Sequence, residues 1–293
     1  MNILIALFKK KKRMKTSDLE KILGRSQHKI LLELDGSSLD FQKILVTGSN
    51  GSLGREFYKR ISKTFNGEIL QTDIEGPFEY LDVTDFKNVN DTISNFNPDI
   101  VFHLAGAKHA PEGEVDTWTT LQINTTGTKN ILDNLAKDCK LILTSTCKAA
   151  NPEVVYGASK LIAERLVLNA KGSVARFFNV IETSGNVFEI WNNVEEEEPI
   201  QVASICERHF ISIGEAVGLL IYTSLLESGR YIINSSALIK INEVAERLYP
   251  DRKKEIINPR RGDRLTEKFL SSSENIEKYL LDNTIIKVSN IHD

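Results

Sequence analysis

Tyr156 and Lys160 are the residues whose types and spacing point most directly to chemistry. Residues four apart share one face of a helix, so the phenol and the ammonium would lie side by side. A nearby cation stabilises a phenolate, which lets a tyrosine move protons near neutral pH. Thr146 precedes the pair, after an apolar run, and its hydroxyl can bond to the same substrate oxygen. These residues predict proton transfer at a hydroxyl-bearing carbon; the alternative is a pair on an ordinary helix surface.

A glycine-rich turn upstream supplies the setting for hydride transfer. Gly48, Gly51 and Gly54 follow the apolar run 43–46 and open the helical stretch 55–61. Glycines let the backbone approach a pyrophosphate, and the helix N-terminus offers N–H groups and a positive dipole. The alternative is an ordinary glycine-rich turn. We expect NAD or NADP to bind here, in contact also with the residues between the glycines: Asn50, Ser52 and Leu53.

Asp73 bears on which nicotinamide cofactor binds. It ends the predicted strand after the glycine turn, where a carboxylate can accept both hydroxyls of the adenine ribose. The same charge repels a 2′-phosphate. The sequence therefore favours NAD over NADP.

The composition is that of a soluble globular protein. The chain has 293 residues, with 41% hydrophobic and 26% charged residues, enough for a sizeable core. A net charge of −3 gives no broad electrostatic case for binding nucleic acid. Three cysteines without a CxxC pair indicate a reduced, cytoplasmic compartment and no structural zinc. The five histidines lack metal-ligand spacing, so we expect no metal.

The N-terminus combines an apolar segment, 1–8, with a basic cluster, 9–13. A signal peptide has the reverse order, and a membrane span needs ~20 apolar residues. One interpretation is a solvated tail. The other is that residues 1–15 make weak contact with an anionic membrane surface, at roughly 1 kcal/mol per basic residue, as in a peripheral protein.

Short β-rich runs alternate with helical stretches from residue 43 onward. Strands are predicted at 43–47, 68–72, 100–104, 141–145 and 174–178, and helices near 52–64, 86–95, 117–137 and 151–170. This order predicts an α/β fold with a doubly wound parallel sheet.

After Phe178 the predicted elements become shorter, with a strand at 231–234 and a helix at 241–249. Such a region usually forms the second wall of a nucleotide-binding cleft. We therefore expect three parts: an N-terminal extension with a basic cluster and a helix (1–40), an NAD(P)-binding domain (41–180), and a smaller substrate domain (181–293), part of which returns to the sheet.

The chain resembles the extended short-chain dehydrogenases, whose fold is the Rossmann fold. More narrowly, it resembles the CapD-type polysaccharide-biosynthesis proteins, which are UDP-N-acetylhexosamine 4,6-dehydratases. The resemblance runs from about Asp18 to Glu274, and it includes the stretch 18–25 before the nucleotide fold. The segments that carry it are VFHLAGAKHAP (101–111), STCKAANP (145–152), RFFNV (176–180), RHF (208–210) and PRRGDRL (259–265).

The resemblance implies roles for individual residues. Tyr156, with Lys160 and Thr146, would take the C4 hydroxyl proton while hydride leaves C4 for NAD. Lys148 would then remove the C5 proton, the C6 hydroxyl would depart, and hydride would return to C6. Asn179 would hold the diphosphate together with Arg260, whose planar fork can bind two phosphate oxygens.

Other matching residues are expected at the cofactor or the substrate. Asp82 resembles a residue that contacts adenine, although it could equally be a turn or cap residue. The remaining cofactor candidates are Val83, Leu104, Ala105 and Gly106, and the remaining substrate candidates are Lys108, His109 and Arg208. The expected partner is a UDP-sugar, and relatives commonly form homo-oligomers.

Cys147 departs from the family pattern, which has an aspartic acid there to protonate the leaving hydroxyl. A thiol with a pKa of about 8.5 is protonated at pH 7, but it is a poor hydrogen-bond donor. Phe178 is a second departure, because relatives tend to have a small residue beside the sugar. Three functions therefore stay open: a 4,6-dehydratase, a 4-ketosugar reductase or 4-epimerase, and a non-catalytic nucleotide-sugar-binding homologue.

Overall fold

The computed structural model describes residues 14–234, 237–259 and 263–291. The apolar segment and basic cluster at the N-terminus lie outside the described residues, and so does Arg260. Among the residues that are described, no helix has both the length and the apolar character to cross a membrane.

The strands are formed by short apolar runs that end in turn residues. In chain order they are β1 (Lys43–Thr47), β2 (Glu68–Asp73), β3 (Glu79–Tyr80), β4 (Ile100–His103), β5 (Lys140–Thr146), β6 (Ser173–Phe177), β7 (Asn179–Val180), β8 (Ile200–Val202), β9 (Glu207–Arg208), β10 (Phe210–Ile211), β11 (Gly229–Ile233), β12 (Ile239–Lys240), β13 (Lys254–Ile256), β14 (Glu274–Leu280) and β15 (Ile285–Asn290).

The helices cover both faces of the largest sheet and fill the space beyond its carboxyl edge. They are α1 (Thr16–Leu23), α2 (Lys29–Glu33), α3 (Ser52–Ile61), α4 (Phe86–Phe96), α5 (Ala110–Val115), α6 (Thr117–Leu121), α7 (Gly127–Asn134), α8 (Val155–Asn169), α9 (Val187–Asn192), α10 (Ile213–Ser224) and α11 (Ile241–Leu248). A π-helical turn, Gln122–Thr126, joins α6 to α7.

Nine strands form the central sheet, in the order β14-β15-β11-β6-β5-β4-β1-β2-β3. In this order, every neighbouring pair from β11 across the sheet to β3 is parallel. Strand β15 is antiparallel to β11, and β14 and β15 form an antiparallel hairpin at that edge. Strand β4 is buried along its whole length, as expected of a parallel strand covered on both faces. The order 3-2-1-4-5-6 is that of a doubly wound dinucleotide-binding sheet. The predicted fold class is therefore confirmed.

The differences between the predicted and observed elements have local causes. The strand predicted at 100–104 ends at His103, where the chain leaves the sheet. The helix predicted from residue 151 begins only at Val155, because Pro152 and its neighbours form a loop. Helix α8 begins where Glu114 accepts the backbone N–H of Val155 at 2.8 Å. The hairpin of β14 and β15 has no counterpart among the predicted elements.

Hydrophobic cores lie on both faces of the sheet. The largest core joins one face to α2 and α10, with members such as Leu31, Phe102 and Leu219. A second core joins the other face to α4, α7 and α8. A third joins α1 to α9 and α11 through Leu19, Trp191 and other buried residues. The N-terminal helices are thus packed against segments far along the chain, and Arg25 pairs with the buried carboxylate of Glu215 at 2.7 Å.

Candidate active site

The glycine turn lies between β1 and α3, at the carboxyl edge of the sheet. Gly48 has a positive φ of 71°, and a Cβ there would lie 2.5 Å from the backbone N of Ala105. A Cβ on Gly54 would lie 2.5 Å from the carbonyl oxygen of Gly48. Gly51 differs, because its only close neighbour would be that same oxygen at 3.3 Å. The space beside Gly51 is therefore open, as a cradle for a pyrophosphate requires.

Asp73 lies at the end of β2, beside the glycine turn. Its Oδ2 accepts the backbone N–H of Asn50 at 2.9 Å, and its Oδ1 accepts that of Glu75 at 3.2 Å. Arg55 donates to the carbonyl oxygen of Asn50 at 2.8 Å and lies near the ring of Phe78. The corner where an adenine ribose would lie thus holds one carboxylate and one guanidinium.

Four other cofactor candidates follow two strands of the same sheet, with Asp82 and Val83 after β3 and Ala105 and Gly106 after β4. Asp82 accepts hydrogen bonds from the N–H and hydroxyl of Thr84, so its carboxylate closes a local turn. Val83 is buried beneath α7. The backbone N–H of Ala105 donates to the Thr47 hydroxyl at 3.2 Å. A Cβ on Gly106 would meet the Lys160 ammonium at 3.0 Å, so the segment after β4 runs directly beside α8.

Thr146, Tyr156 and Lys160 come together at the carboxyl end of β5. The Thr146 hydroxyl bonds to the phenol of Tyr156, which partly offsets the effect of burial in raising the pKa of Tyr156. The positive charge of Lys148 acts in the same direction as that hydrogen bond. Lys160 donates to the carbonyl oxygen of Thr144 at 3.2 Å. Burial lowers the pKa of Lys160 to about 8, against the opposing charge of Glu164.

Cys147 and Lys148 form a tight turn that directly follows Thr146. The thiol is fully buried, and burial together with Glu267 raises the pKa of Cys147 to about 12. Lys148 forms a 2.7 Å ion pair with Glu267. Burial alone would lower the pKa of Lys148, but the charge of Glu267 outweighs it and raises that pKa. The turn therefore presents a protonated thiol and an ammonium.

Glu267 is the main residue that sequence reasoning missed. It is 2% exposed, and its Oε2 accepts from the Asn179 amide at 2.5 Å and lies 3.6 Å from the Cys147 Sγ. Its Oε1 lies 3.5 Å from the Nε of Arg208. Burial opposes ionisation, but Lys148 and Arg208 keep the pKa of Glu267 below its ordinary value. Glu267 lies two residues after the matching segment 259–265, and this was the one available signal.

Asn124 and His103 are two further residues near Lys160 that the sequence did not single out. Asn124 lies in the π-helical turn, a feature often found at functional sites. Its amide donates to the Ala107 carbonyl at 3.0 Å and to the Ser159 hydroxyl at 2.9 Å. His103 bonds through Nδ1 to the Thr47 hydroxyl at 2.8 Å. Burial and the charge of Lys160 lower the pKa of His103 to about 3, so it is neutral.

The substrate candidates fall into two groups. Asn179 and Arg208 adjoin Glu267, and the Arg208 guanidinium also donates to the carbonyl oxygen of Arg264 at 2.6 Å. Lys108 lies farther along the crevice and donates to the carbonyl oxygen of Ser184 at 3.0 Å. His109 begins α5 and packs against the loop at Gly185.

Phe178 is buried rather than exposed to the crevice. Its ring lies 4.7 Å from that of His209 and 6.0 Å from that of Phe269, measured between centroids. The Asn179 amide donates to the carbonyl oxygen of His209 at 3.0 Å, so this aromatic cluster adjoins Asn179. The Phe178 side chain thus packs against the C-terminal segment.

Comparisons with known proteins match most of the chain. A family model described as "Polysaccharide biosynthesis protein" matches residues 70–289. The capsular polysaccharide biosynthesis protein CapD of Staphylococcus aureus is 29% identical, over 89% of this chain and 50% of that protein. A UDP-N-acetylglucosamine 4,6-dehydratase (inverting) of Campylobacter jejuni is 27% identical, over 83% of this chain and 81% of that protein. The chain spans about half the length of the first curated relatives that it matches.

A solved structure gives the same fold. The UDP-glucose 4-epimerase of Thermus thermophilus, determined in complex with NAD, superposes with a TM-score of 0.68 at 20% identity. The superposition covers 78% of this chain and 90% of that chain. At this identity the likeness establishes the Rossmann architecture alone.

Proposed function

We propose that this chain, which belongs to the polysaccharide biosynthesis protein family, is a nicotinamide-dependent enzyme that acts on the sugar of a nucleotide sugar. The observation that carries the proposal is the meeting of Thr146, Tyr156 and Lys160 at the strand end beside the open glycine turn. Related proteins with dehydratase and epimerase names support the same reaction class.

The residues present suit proton transfer at a sugar hydroxyl. Nicotinamide bound at the glycine turn would supply reversible hydride transfer at the carbinol carbon. Tyr156 would take the hydroxyl proton while Thr146 holds the same oxygen by a hydrogen bond. Lys160 supplies a positive charge below pH 8 or so, which favours the phenolate that this transfer needs.

For the cofactor, we propose NAD rather than NADP. The Asp73 carboxylate, which accepts the backbone N–H of Asn50 in the glycine turn, would accept ribose hydroxyls and repel a 2′-phosphate. Arg55 is at the same corner, but its guanidinium already donates to the Asn50 carbonyl oxygen.

For the reaction, we propose 4,6-dehydration of a UDP-N-acetylhexosamine. Lys148, on the turn that follows Thr146, would serve as the base that removes the C5 proton of a sugar oxidised at C4. The match to an inverting 4,6-dehydratase over 83% of this chain supports the proposal.

A second candidate function is 4-ketosugar reduction or 4-epimerisation. Cys147 favours it, because the fully buried thiol is a weak proton donor with a pKa raised to about 12. Chemistry confined to C4 needs only Thr146, Tyr156 and Lys160.

One experiment separates these functions. The purified chain is incubated with UDP-N-acetylglucosamine and NAD, and the product is analysed by mass and by sugar composition. Loss of water supports the dehydratase, and an isomer of unchanged mass supports the epimerase. Turnover only with added reduced cofactor and a 4-ketosugar supports the reductase. Binding of the nucleotide sugar without any product would contradict the enzyme proposal.

A further inference from the structure

Glu267 joins two residues of the catalytic turn through its two oxygens. Its Oε1 lies 2.7 Å from the Lys148 ammonium, and its Oε2 lies 3.6 Å from the Cys147 thiol. Asn179 and Arg208 fix the carboxylate from other elements, at 2.5 and 3.5 Å. The Glu267 carboxylate thus bridges Lys148, which could act as a base, and Cys147, which occupies the position where the dehydratase reaction needs a proton donor.

We propose that Glu267 is a positioning residue that passes protons between Lys148 and the Cys147 thiol, so that the thiol can protonate a departing hydroxyl. The inference rests on the proposed 4,6-dehydratase function. It explains how a chain with cysteine at this position could eliminate water.

The charges in the turn set the starting state. Lys148 is an ammonium and Glu267 a carboxylate, because each stabilises the charged form of the other in a buried place. Cys147 is a thiol, and a thiolate left there would be costly, since burial and Glu267 raise the pKa of this group to about 12. The Cys147 thiol can therefore donate its proton only if another group reprotonates the sulfur at once.

Glu267 can supply that replacement. Lys148 first passes a proton to Glu267 across their 2.7 Å contact, which leaves an amine and a carboxylic acid. The amine takes the proton from C5 of the 4-ketosugar, and the electron pair of that C–H bond forms the C5–C6 double bond. The C6–O bond breaks, and the hydroxyl leaves as water with the thiol proton. Glu267 then reprotonates the sulfur, so that ammonium, carboxylate and thiol are all restored.

A purely structural role for Glu267 gives different expectations. As an ion-pair partner alone, it would only hold Lys148 and Arg208 in place, and its loss would weaken every step of the reaction alike. As a proton carrier, it is needed for the loss of water and not for the oxidation at C4. Loss of Glu267 should therefore impair both C4 oxidation and water loss if its role is structural, and water loss alone if it carries protons.

The test follows the two steps separately, with the full chain, UDP-N-acetylglucosamine and NAD in deuterated buffer. Near-ultraviolet absorbance reports reduced nicotinamide, and mass spectrometry reports water loss and deuterium at C5. In Glu267→Gln, we expect reduced nicotinamide to accumulate while water loss falls by ~10²-fold or more, the usual worth of a proton-transferring group. Glu267→Asp keeps the acid and should recover part of the water loss. Glu243→Gln removes an exposed carboxylate from a surface ion pair and serves as the matched control.

Two results would overturn the proposal. One is water loss at the wild-type rate in Glu267→Gln, and the other is an equal loss of C4 oxidation and water loss in that variant. If Glu267→Gln does not fold, Cys147→Ala decides instead, because the relay requires that it oxidise C4 but lose little water. A wild-type chain that gives no dehydrated product would overturn the dehydratase proposal itself. That outcome is distinct from a wild type and a Glu267→Gln variant that dehydrate at the same rate, which overturns only the role of Glu267.

Discussion

Burial lowers the pKa of both Lys148 and Lys160, but their net pKa shifts run in opposite directions. The pKa of Lys160 falls to about 8, since Glu164 only partly offsets the burial of its ammonium. For Lys148, the contact with Glu267 outweighs burial, and the pKa rises. At neutral pH both are charged, but only Lys160 is near its titration point. Chemistry that needs the Lys160 ammonium should therefore weaken as the pH rises through about 8.

Tyr156→Phe tests the assignment of the proton acceptor. The substitution removes the phenol oxygen and keeps the ring, so we expect nucleotide-sugar binding to persist and hydride transfer to fall by ~10²-fold or more. Reduced nicotinamide measured in single turnover, beside substrate affinity from calorimetry, checks both parts. Unchanged reduction of the cofactor in this variant would show that another group accepts the proton.

Cys147→Asp tests whether the thiol limits elimination. The site is fully buried and 3.6 Å from the Glu267 carboxylate, and both factors favour a protonated aspartic acid. If the chain is a dehydratase slowed by its thiol, water loss should rise by ~10²-fold or more. If the site is adapted to reduction or epimerisation, the native activity should fall with little elimination. Wild-type protein that already dehydrates rapidly would show that Cys147 is no handicap.

Residue spacing in the sequence was enough to predict part of the site. The rest depends on contacts between residues that are far apart in the chain. Tyr156 and Lys160 could be paired from the sequence because one helical turn separates them. Glu267 lies 119 residues from Lys148 and 120 from Cys147, and no periodicity links them. A buried ion pair of this kind depends on how the C-terminal segment folds back onto the sheet. The spacing of residues in the sequence does not show how this segment folds back.

At the scale of elements, the strand–turn–helix at β1 and α3 could be predicted because each part has its own local signal. An apolar run, three spaced glycines and a helical stretch are read directly from neighbouring residues. The π-helical turn that presents Asn124 has no such signal, and the sequence predicts a plain helix over 117–137. A one-residue widening of a helix depends on its packing, and here it lies against α8.

Gly51→Leu tests the cradle. Gly51 has a φ of −64°, which any residue can adopt, and the space beside it is largely open. We therefore expect a folded protein in which the new side chain occupies the place of the pyrophosphate and abolishes cofactor binding. Calorimetric titration with NAD measures this, with a thermal melt to establish folding.

Gly54→Leu is the contrasting variant, because a Cβ there would lie 2.5 Å from the Gly48 carbonyl oxygen and should destabilise the fold. Wild-type affinity in folded Gly51→Leu would refute the cofactor assignment.

At the scale of the whole molecule, a buried ion cluster joins helix α8 to the C-terminal hairpin of β14 and β15. Glu164 on α8 and Glu274 on β14 share two arginines, Arg176 on β6 and Arg230 on β11. All four side chains are buried, and Ser145 at the end of β5 also donates to Glu164 at 2.6 Å. The hairpin that closes the sheet therefore helps to fix α8, which carries Tyr156 and Lys160 one to two turns before Glu164.

Glu274→Gln should destabilise the whole protein. It removes one of the two negative charges that balance Arg176 and Arg230, and unbalancing buried ion pairs costs about 3–5 kcal/mol. For a chain of this size, that loss corresponds to a drop in Tm of roughly 5–8 °C. Glu227→Gln is the matched control, since Glu227 is exposed, lies just before β11, and pairs at the surface with Lys278 and Lys287 of the hairpin. Its thermal melt should stay close to that of the wild type, because exposed pairs stabilise little. Equal melting temperatures for both variants would show that the hairpin is held to α8 by apolar packing and not by the buried charges.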